Sequence, residues 1–327
     1  MLQWALGRRA FVRAASAAVK AALGEGRGQG PRTAPCRGER DIVLVPCWRR
    51  PEMLWHCLDN LCRAEGIEAV HVVFRPDHGF DPDTLAVIHA FADRLTSFEV
   101  QPAPLCPYHR TKLSANILLG YLSAAARTRR YVYLVEEDIM VARDFLHWHQ
   151  AVHAQRAELF CSIAVHNHNR DVLAPPDPQG YYLSHLDYCS WGVCFDARVI
   201  REWLAPHVRA GYFAHPKRYL RRHFAGSRVG LGYVEQASLI RRLQECSGLP
   251  IAYPGVPRAF HAGFYGRNRA GGVSGALIER VLQLQQVIYD HSAMRRVALC
   301  DAYAADSEPV SLELNVAGRG RLKELAV

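Results

Sequence analysis

Three adjacent carboxylates, Glu136, Glu137 and Asp138, follow the β-prone run Tyr131-Val132-Tyr133-Leu134-Val135 and precede apolar Ile139, Met140 and Val141. Carboxylates this close repel one another. At the edge of a core a divalent cation relieves that repulsion and takes their oxygens as ligands. A metal-assisted site is one reading of the triplet, and a solvated acidic turn after a strand is the other. The 10 cysteines include no Cys-x-x-Cys pair, the closest spacings being Cys57 to Cys62 and Cys189 to Cys194, so zinc-site spacing is absent. His149 and His153 stand at i, i+4 without a third ligand and read as one face of a helix. Neither a Gly-x-Gly-x-x-Gly nor a Gly-x-x-x-x-Gly-Lys-Ser/Thr loop occurs, which argues against a dinucleotide oxidoreductase or a P-loop ATPase.

The elements that would hold the triplet alternate between strand and helix. Asp41 to Pro46 reads as a short apolar strand. Arg49-Arg50-Pro51-Glu52 leads into a helix with Leu54, Leu58 and Leu61 on one face, and Ala69 to Phe74 is the next strand. Asp81-Pro82 supplies an N-cap and a first-position proline for a helix carrying Leu85, Ile88, Phe91 and Leu95. Ser97 to Gln101 makes a third strand, the proline-rich stretch 102–107 breaks the pattern, and a helix from Lys112 delivers the chain to the acidic strand. The expected sheet is mainly parallel and covered on both faces, and ligands gather at the carboxyl ends of such strands. After a helix over 144–157 the grammar changes to strands at 159–165, 181–186 and 191–195 between Asn-, His- and Pro-rich loops, a more mixed arrangement. Helices are expected near 233–246 and 276–289, with a proline-rich segment over 250–257 between them. The divisions fall at 1–40, 41–145, 146–290 and 291–327.

At 327 residues, half of them hydrophobic, the chain can bury a substantial core in one large or two modest domains. A net charge of +9 suggests polyanionic partners: nucleotide phosphates, nucleic acid or an anionic lipid surface. From Trp203 to Val234 no acidic residue occurs, while Arg209, Lys217, Arg218, Arg221, Arg222 and Arg228 make a basic face. The first 24 residues carry Arg8, Arg9, Arg13 and Lys20 and no carboxylate. They read as a solvated basic leader helix, with a transit peptide or a membrane-surface helix as alternatives. Cysteines in apolar contexts such as Cys161 and Cys194, with no secretory signal, favour a reducing, cytoplasmic location, or a peripheral one at a membrane surface.

The run Leu134-Val135-Glu136-Glu137-Asp138-Ile139-Met140-Val141-Ala142-Arg143-Asp144-Phe145 resembles the acidic motif of GT-A-type nucleotide-sugar glycosyltransferases, most of all the N-acetylglucosaminyltransferase I type. It departs from that motif in the middle Glu137 and in Arg143. Val45-Pro46-Cys47-Trp48-Arg49 and Cys57-Leu58-Asp59-Asn60-Leu61 are similar to the family's opening strand and first helix, and the similarity runs from about Asp41 to Arg269. The resemblance implies an α/β, GT-A-like fold: a nucleotide-sugar-binding βαβ half over 41–145 fused to a mixed acceptor and catalytic half over 146–290. It also implies an inverting, metal-dependent transfer from a UDP-sugar of the UDP-GlcNAc or UDP-glucose type, with Mn2+ or Mg2+ as cofactor. Asp138 would then bind the metal, Glu137 face the ribose or metal waters, and Glu136 face the donor sugar. Pro46 falls among the donor-binding residues, Arg49 (or Arg50) and Asp77 become candidates for the uridine, and Lys112 or Arg110 for the phosphates. His261, between Phe260 and Ala262-Gly263, looks like the histidine many such enzymes bring to the metal or diphosphate.

An inverting transfer needs a base for the acceptor hydroxyl. Glu235, the one carboxylate between Glu202 and Glu245, stands at a glycine-rich approach to a helix and is the first candidate; a dipole-stabilised helix-terminal Glu is the other reading. Asp187, ahead of Tyr188 and Trp191, is the reserve, and Trp191 would line the acceptor side. The acceptor hydroxyl stays open among a glycan, a lipid-linked sugar, a protein side chain and a modified DNA base. The arginine-rich 217–228 segment hints at an anionic one. Two other classes of function fit the same residues: a non-catalytic polyanion-binding protein on a decayed enzyme frame, and a metal-dependent nucleotidyltransferase.

Overall fold

A computed structural model describes residues 2–24, 40–77, 81–108, 111–165, 180–185, 188–231, 235–261 and 323–324. Its strands are β1 (Ile42–Cys47), β2 (His71–Pro76), β3 (Phe98–Val100), β4 (Tyr131–Leu134), β5 (Ile139–Val141), β6 (Cys161–Ile163), β7 (Gly180–Ser184), β8 (Val193–Asp196), β9 (Ile251–Pro254), β10 (Ala259–His261) and β11 (Lys323–Glu324). The helices are α1 (Leu2–Ala22), α2 (Pro51–Leu61), α3 (Pro82–Ala90), α4 (Lys112–Ala125), α5 (Phe145–Gln155), α6 (Ala197–Val199), α7 (Ala210–Ala214), α8 (Pro216–His223) and α9 (Gln236–Ser247).

Among the described residues nine strands form one sheet in the order β11-β7-β9-β6-β8-β4-β1-β2-β3, and β10 with β5 forms a separate pair. Strands β3, β2, β1 and β4 run parallel to one another, whereas β8 is antiparallel to both β4 and β6. The chain is thus a mixed α/β structure with a parallel βαβ half joined to a mixed half, the layout expected from the sequence. β1 is buried at every position because helices cover both faces of its sheet. Asp81 caps α3 as its sequence predicts, accepting from the Thr84 amide at 3.0 Å and the Thr84 hydroxyl at 2.8 Å. Leu54, Leu58 and Leu61 are all buried.

Two local expectations change. The proline-rich stretch 250–257 contains β9, which lies inside the sheet between β7 and β6, with prolines only at its margins (Pro250 before it and Pro254 at its end). The first helix is docked on the domain, not solvated. It packs along α4, and buried Phe11 meets Tyr108 and Phe213 edge-on at ring-centroid distances of 5.9 and 5.2 Å. Its face is made of Phe11, Ala15 and Ala22, too small and alanine-rich to announce burial. Among the described residues no helix is long and apolar enough to cross a membrane. The helix expected over 276–289 and the His166–Asn169 loop lie outside the described residues.

His149 and His153 are core residues. Both rings share the Ser162 hydroxyl, at 2.6 Å from His149 Nδ1 and 3.0 Å from His153 Nε2. Burial holds His149 well below the usual imidazole range and His153 down to about 4. A histidine whose folded pKa is depressed binds fewer protons folded than unfolded, so stability is lost as pH falls from about 6.5 towards 4. His153 alone accounts for on the order of 3 kcal/mol across that window. Thermal midpoints measured between pH 7 and 4 should therefore fall more steeply for the wild type than for His153→Gln; parallel curves would contradict the assignment.

Candidate active site

The triplet lies where the parallel strands β1 and β4 end. β4 stops at Leu134, the chain continues through Val135 to Glu136, and the Ile139 amide donates back to the Glu136 carbonyl at 2.9 Å to close a turn into β5. The Glu137 amide donates to the Pro46 carbonyl at 3.2 Å, tying this turn to the end of β1.

The residues just after β1 complete the arrangement. The Trp48 amide donates to Glu137 Oε2 at 2.6 Å, Arg50 Nε donates to Glu137 Oε1 at 2.5 Å, and Arg50 Nη1 donates to Asp138 Oδ2 at 2.8 Å. Arg49, between them, has φ +50°, the one non-glycine residue with positive φ among those described. Such backbone costs on the order of 1–3 kcal/mol and is held where surrounding contacts over-determine it. Here the contacts of Trp48 and Arg50 on either side fix it. Arg49 itself is exposed.

The three carboxyls sit in unequal environments. Burial and the charge of Asp138 push Glu136 up to about 8, against a hydrogen bond from Ser190 and the Arg50 charge. Burial pushes Glu137 up to about 7, opposed by Arg50 and the Trp48 amide. Burial alone would raise Asp138, but His261 and Arg50 outweigh it and hold this carboxyl below its ordinary value. Asp138 is therefore the group that carries a firm negative charge. Arg50, in turn, has its guanidinium pKa raised by Glu137 and Asp138 against the effect of burial.

His261 reaches the triplet through strand pairing. β10 runs antiparallel to β5 with His261 opposite Ile139, next to Asp138, and His261 Nε2 lies 3.6 Å from Asp138 Oδ2. Behind this pair the buried Arg258 guanidinium holds Asp144 (Nε to Oδ2, 3.2 Å), while the Arg258 carbonyl accepts from the Ala142 amide at 2.9 Å. The loop before β8 covers the other side of His261: Trp191 stacks on the imidazole at 4.2 Å between centroids and 14° between planes. Gly192, at φ +63°, makes this approach feasible, since a Cβ there would meet the Ala259 and Ala164 methyls at 3.0 and 3.2 Å. Ser190 and Trp191 thus join Glu136 and His261 to one loop.

Asp77, Lys112 and Glu235 each stand at the end of an element, after β2, at the start of α4 and before α9. The Asp77 amide donates to the Cys47 carbonyl at 2.9 Å at the end of β2. The buried Cys47 thiol is raised by burial and by both Glu137 and Asp77, and that of Cys106 is raised by burial, with Asp77 adding and Lys112 opposing. Cys47 thus feels both Glu137 and Asp77, and Cys106 both Asp77 and Lys112. Lys112 opens α4, and two residues on, Ser114 bonds both the amide (3.0 Å) and the side chain (3.3 Å) of Gln236. Glu235 immediately precedes α9 with its side chain unused for capping and half-buried. Buried Arg242, on α9, donates to the Val229 and Gly230 carbonyls at 2.5 and 3.1 Å. Burial and Glu235 raise the Tyr212 phenol, which bonds Ser114. Asp187 and Arg110 lie outside the described residues.

Among the described residues no three His, Cys, Asp or Glu side chains surround a common point. Each Glu137 oxygen accepts one hydrogen bond, from the Trp48 amide and from Arg50, which leaves it a second acceptor site. Asp138 and His261 fit a divalent cation as two protein ligands, a carboxylate and an imidazole, with water and phosphate oxygens supplying the rest. Sequence reasoning missed the Trp48 and Ser190 contacts and the joint hold of Arg50 on two carboxylates. Only the Arg49-Arg50-Pro51 signal at the start of a helix hinted at the last.

No sequence family matches the chain, and no curated protein matches it. In structure it is similar to the mannosyltransferase PcManGT of Pyrobaculum calidifontis in complex with GDP-Man and Mn2+, at 14% identity and TM-score 0.37 over 93% of this chain and 89% of that one. It is similar to S. aureus TarS at 11% identity and TM-score 0.40, over 84% of this chain and 41% of the other. The galactosyltransferase LgtC, in complex with donor and acceptor sugar analogues, is similar at 10% identity and TM-score 0.41, over 65% of this chain and 72% of the other.

Proposed function

We propose that the protein is an inverting glycosyltransferase that moves a sugar from a UDP-sugar to a hydroxyl acceptor with help from Mn2+ or Mg2+. The observation that carries this reading is the meeting of Asp138 and His261, with Arg50 bonded to Asp138, at the edge where the parallel strands β1 and β4 end. That edge is where α/β folds take nucleotides. When bound, a divalent cation at Asp138 and His261 stabilises the charge that grows on the diphosphate as UDP departs.

The chain's own groups have separate tasks. Arg50 balances the charge of Glu137 and Asp138, and Lys112 faces the phosphates from the first turn of α4, where the helix dipole also favours anions. Asp77 reads the base, and Glu136, held by Ser190, faces the donor sugar. Glu235 takes the acceptor hydroxyl proton onto its carboxylate as the oxygen attacks the anomeric carbon and the bond to UDP breaks.

Slow hydrolysis of a panel of UDP-sugars, with Mn2+ or Mg2+ and without, tests the reading and needs no acceptor. Metal-stimulated UDP release from one donor class is expected. Silence across the panel, with pyrophosphate released from a nucleoside triphosphate, would replace it with nucleotidyl transfer.

A further inference from the structure

The basic residues of two helices far apart in sequence, α1 and α8, lie on neighbouring elements. α1 packs by Phe11, Ala15 and Ala22, and at 100° per residue Arg9, Arg13 and Lys20 fall on the opposite side, all three exposed. α1 also packs against α7 and the turn at 205–207. α7 leads through His215 into α8, whose Leu220 is buried while Lys217, Arg218, Arg221 and Arg222 are exposed. His207, in that turn, packs on Tyr219 and Phe224 at centroid distances of 6.5 and 5.1 Å, so the turn braces α8 as well as α1. The segment 205–214 therefore sits between two helices with cationic outer faces.

Nothing on these elements offsets the charge. α1 contains no carboxylate, nor does the stretch from Trp203 to Leu231, and Glu245 is spent on Arg228. Leu6 and Leu23, towards the two ends of α1, are 56% and 40% exposed. Apolar side chains flanking a row of cations suit the boundary of headgroups and acyl chains. They offer little to a nucleic acid, whose single strands are held by aromatic platforms; among the described side chains of α1 and α8 the one exposed ring is His223. A helix of 21 residues, about 30 Å long, docked by one side, presents its other side tangentially, as a surface-bound helix must.

We propose that α1 and α8 together form a docking face for an anionic lipid bilayer. The face is independent of the donor chemistry. Each cation near such a surface contributes enough that removing three should weaken binding on the order of a hundredfold.

Co-sedimentation of the full chain with phosphatidylcholine vesicles, plain or doped with phosphatidylserine, tests the proposal. Binding is expected to the doped vesicles alone and to weaken with salt. The variant Arg9→Gln/Arg13→Gln/Lys20→Gln should lose about a hundredfold in vesicle affinity, and Lys217→Gln/Arg218→Gln/Arg221→Gln/Arg222→Gln at least as much. Neutralising Arg63, Arg129 and Arg198, exposed elsewhere, should change affinity only a few-fold. These substitutions leave the buried face of α1 intact, and an unchanged thermal midpoint confirms that the variants fold. No binding to doped vesicles at low salt, or an equal loss in the control variant, would overturn the proposal. So would a single-stranded oligonucleotide that binds through the same arginines and displaces the vesicles.

Discussion

Asp138→Asn is expected to lose at least about a hundredfold in donor turnover while keeping its fold. The substitution removes the carboxylate that His261 and Arg50 hold ionised, and with it a charged ligand worth several kcal/mol to a departing diphosphate. Packing changes little, because Asn is isosteric and Arg50 keeps its bond to Glu137. A thermal midpoint within a few degrees of wild type, alongside the lost rate, would separate chemistry from stability. Retention of wild-type turnover with full metal stimulation would remove Asp138 from the site.

Glu235→Gln should lower transfer by a factor on the order of a hundred to ten thousand and leave UDP and metal binding near wild type. Its carboxylate is half-buried, makes no cap bond and stands at a position fixed by Ser114 and Gln236, so Gln preserves the local structure. Single-turnover kinetics with a proven acceptor would measure the drop, and denaturation of the same variant would show whether stability moved. Transfer within a few-fold of wild type would shift the role of base to Asp187.

The parallel half of the fold was legible because each of its elements is specified locally. Asp81-Pro82 starts α3, the leucines of α2 recur at helical spacing, and β1 and β4 are continuous apolar runs. The triplet was visible for the same reason, three adjacent carboxylates directly after an apolar run, although a solvated acidic turn fitted them as well. What escaped reading depends on long-range pairing. β5 and β10 have three residues each, too few to show a period, yet their register sets His261 beside Asp138. The fork from Arg50 to the triplet spans 87 residues to Glu137 and 88 to Asp138, and the Arg258–Asp144 pair spans 114; neither leaves a local trace. β9 was hidden by its flanking prolines, and the docking of α1 by the small residues of its buried face. The positive φ and close neighbours of Gly192, which bear on where Trp191 stacks, leave no mark in the sequence around it.

The most direct test of metal-assisted nucleotide-sugar chemistry at this edge is calorimetric titration of UDP into the wild type and Asp138→Asn, each with and without Mn2+. The predicted result is wild-type binding that strengthens at least about tenfold with Mn2+ and a variant in which Mn2+ changes nothing while the fold persists. Wild-type affinity indifferent to Mn2+, or a variant that keeps the full Mn2+ effect, would contradict it.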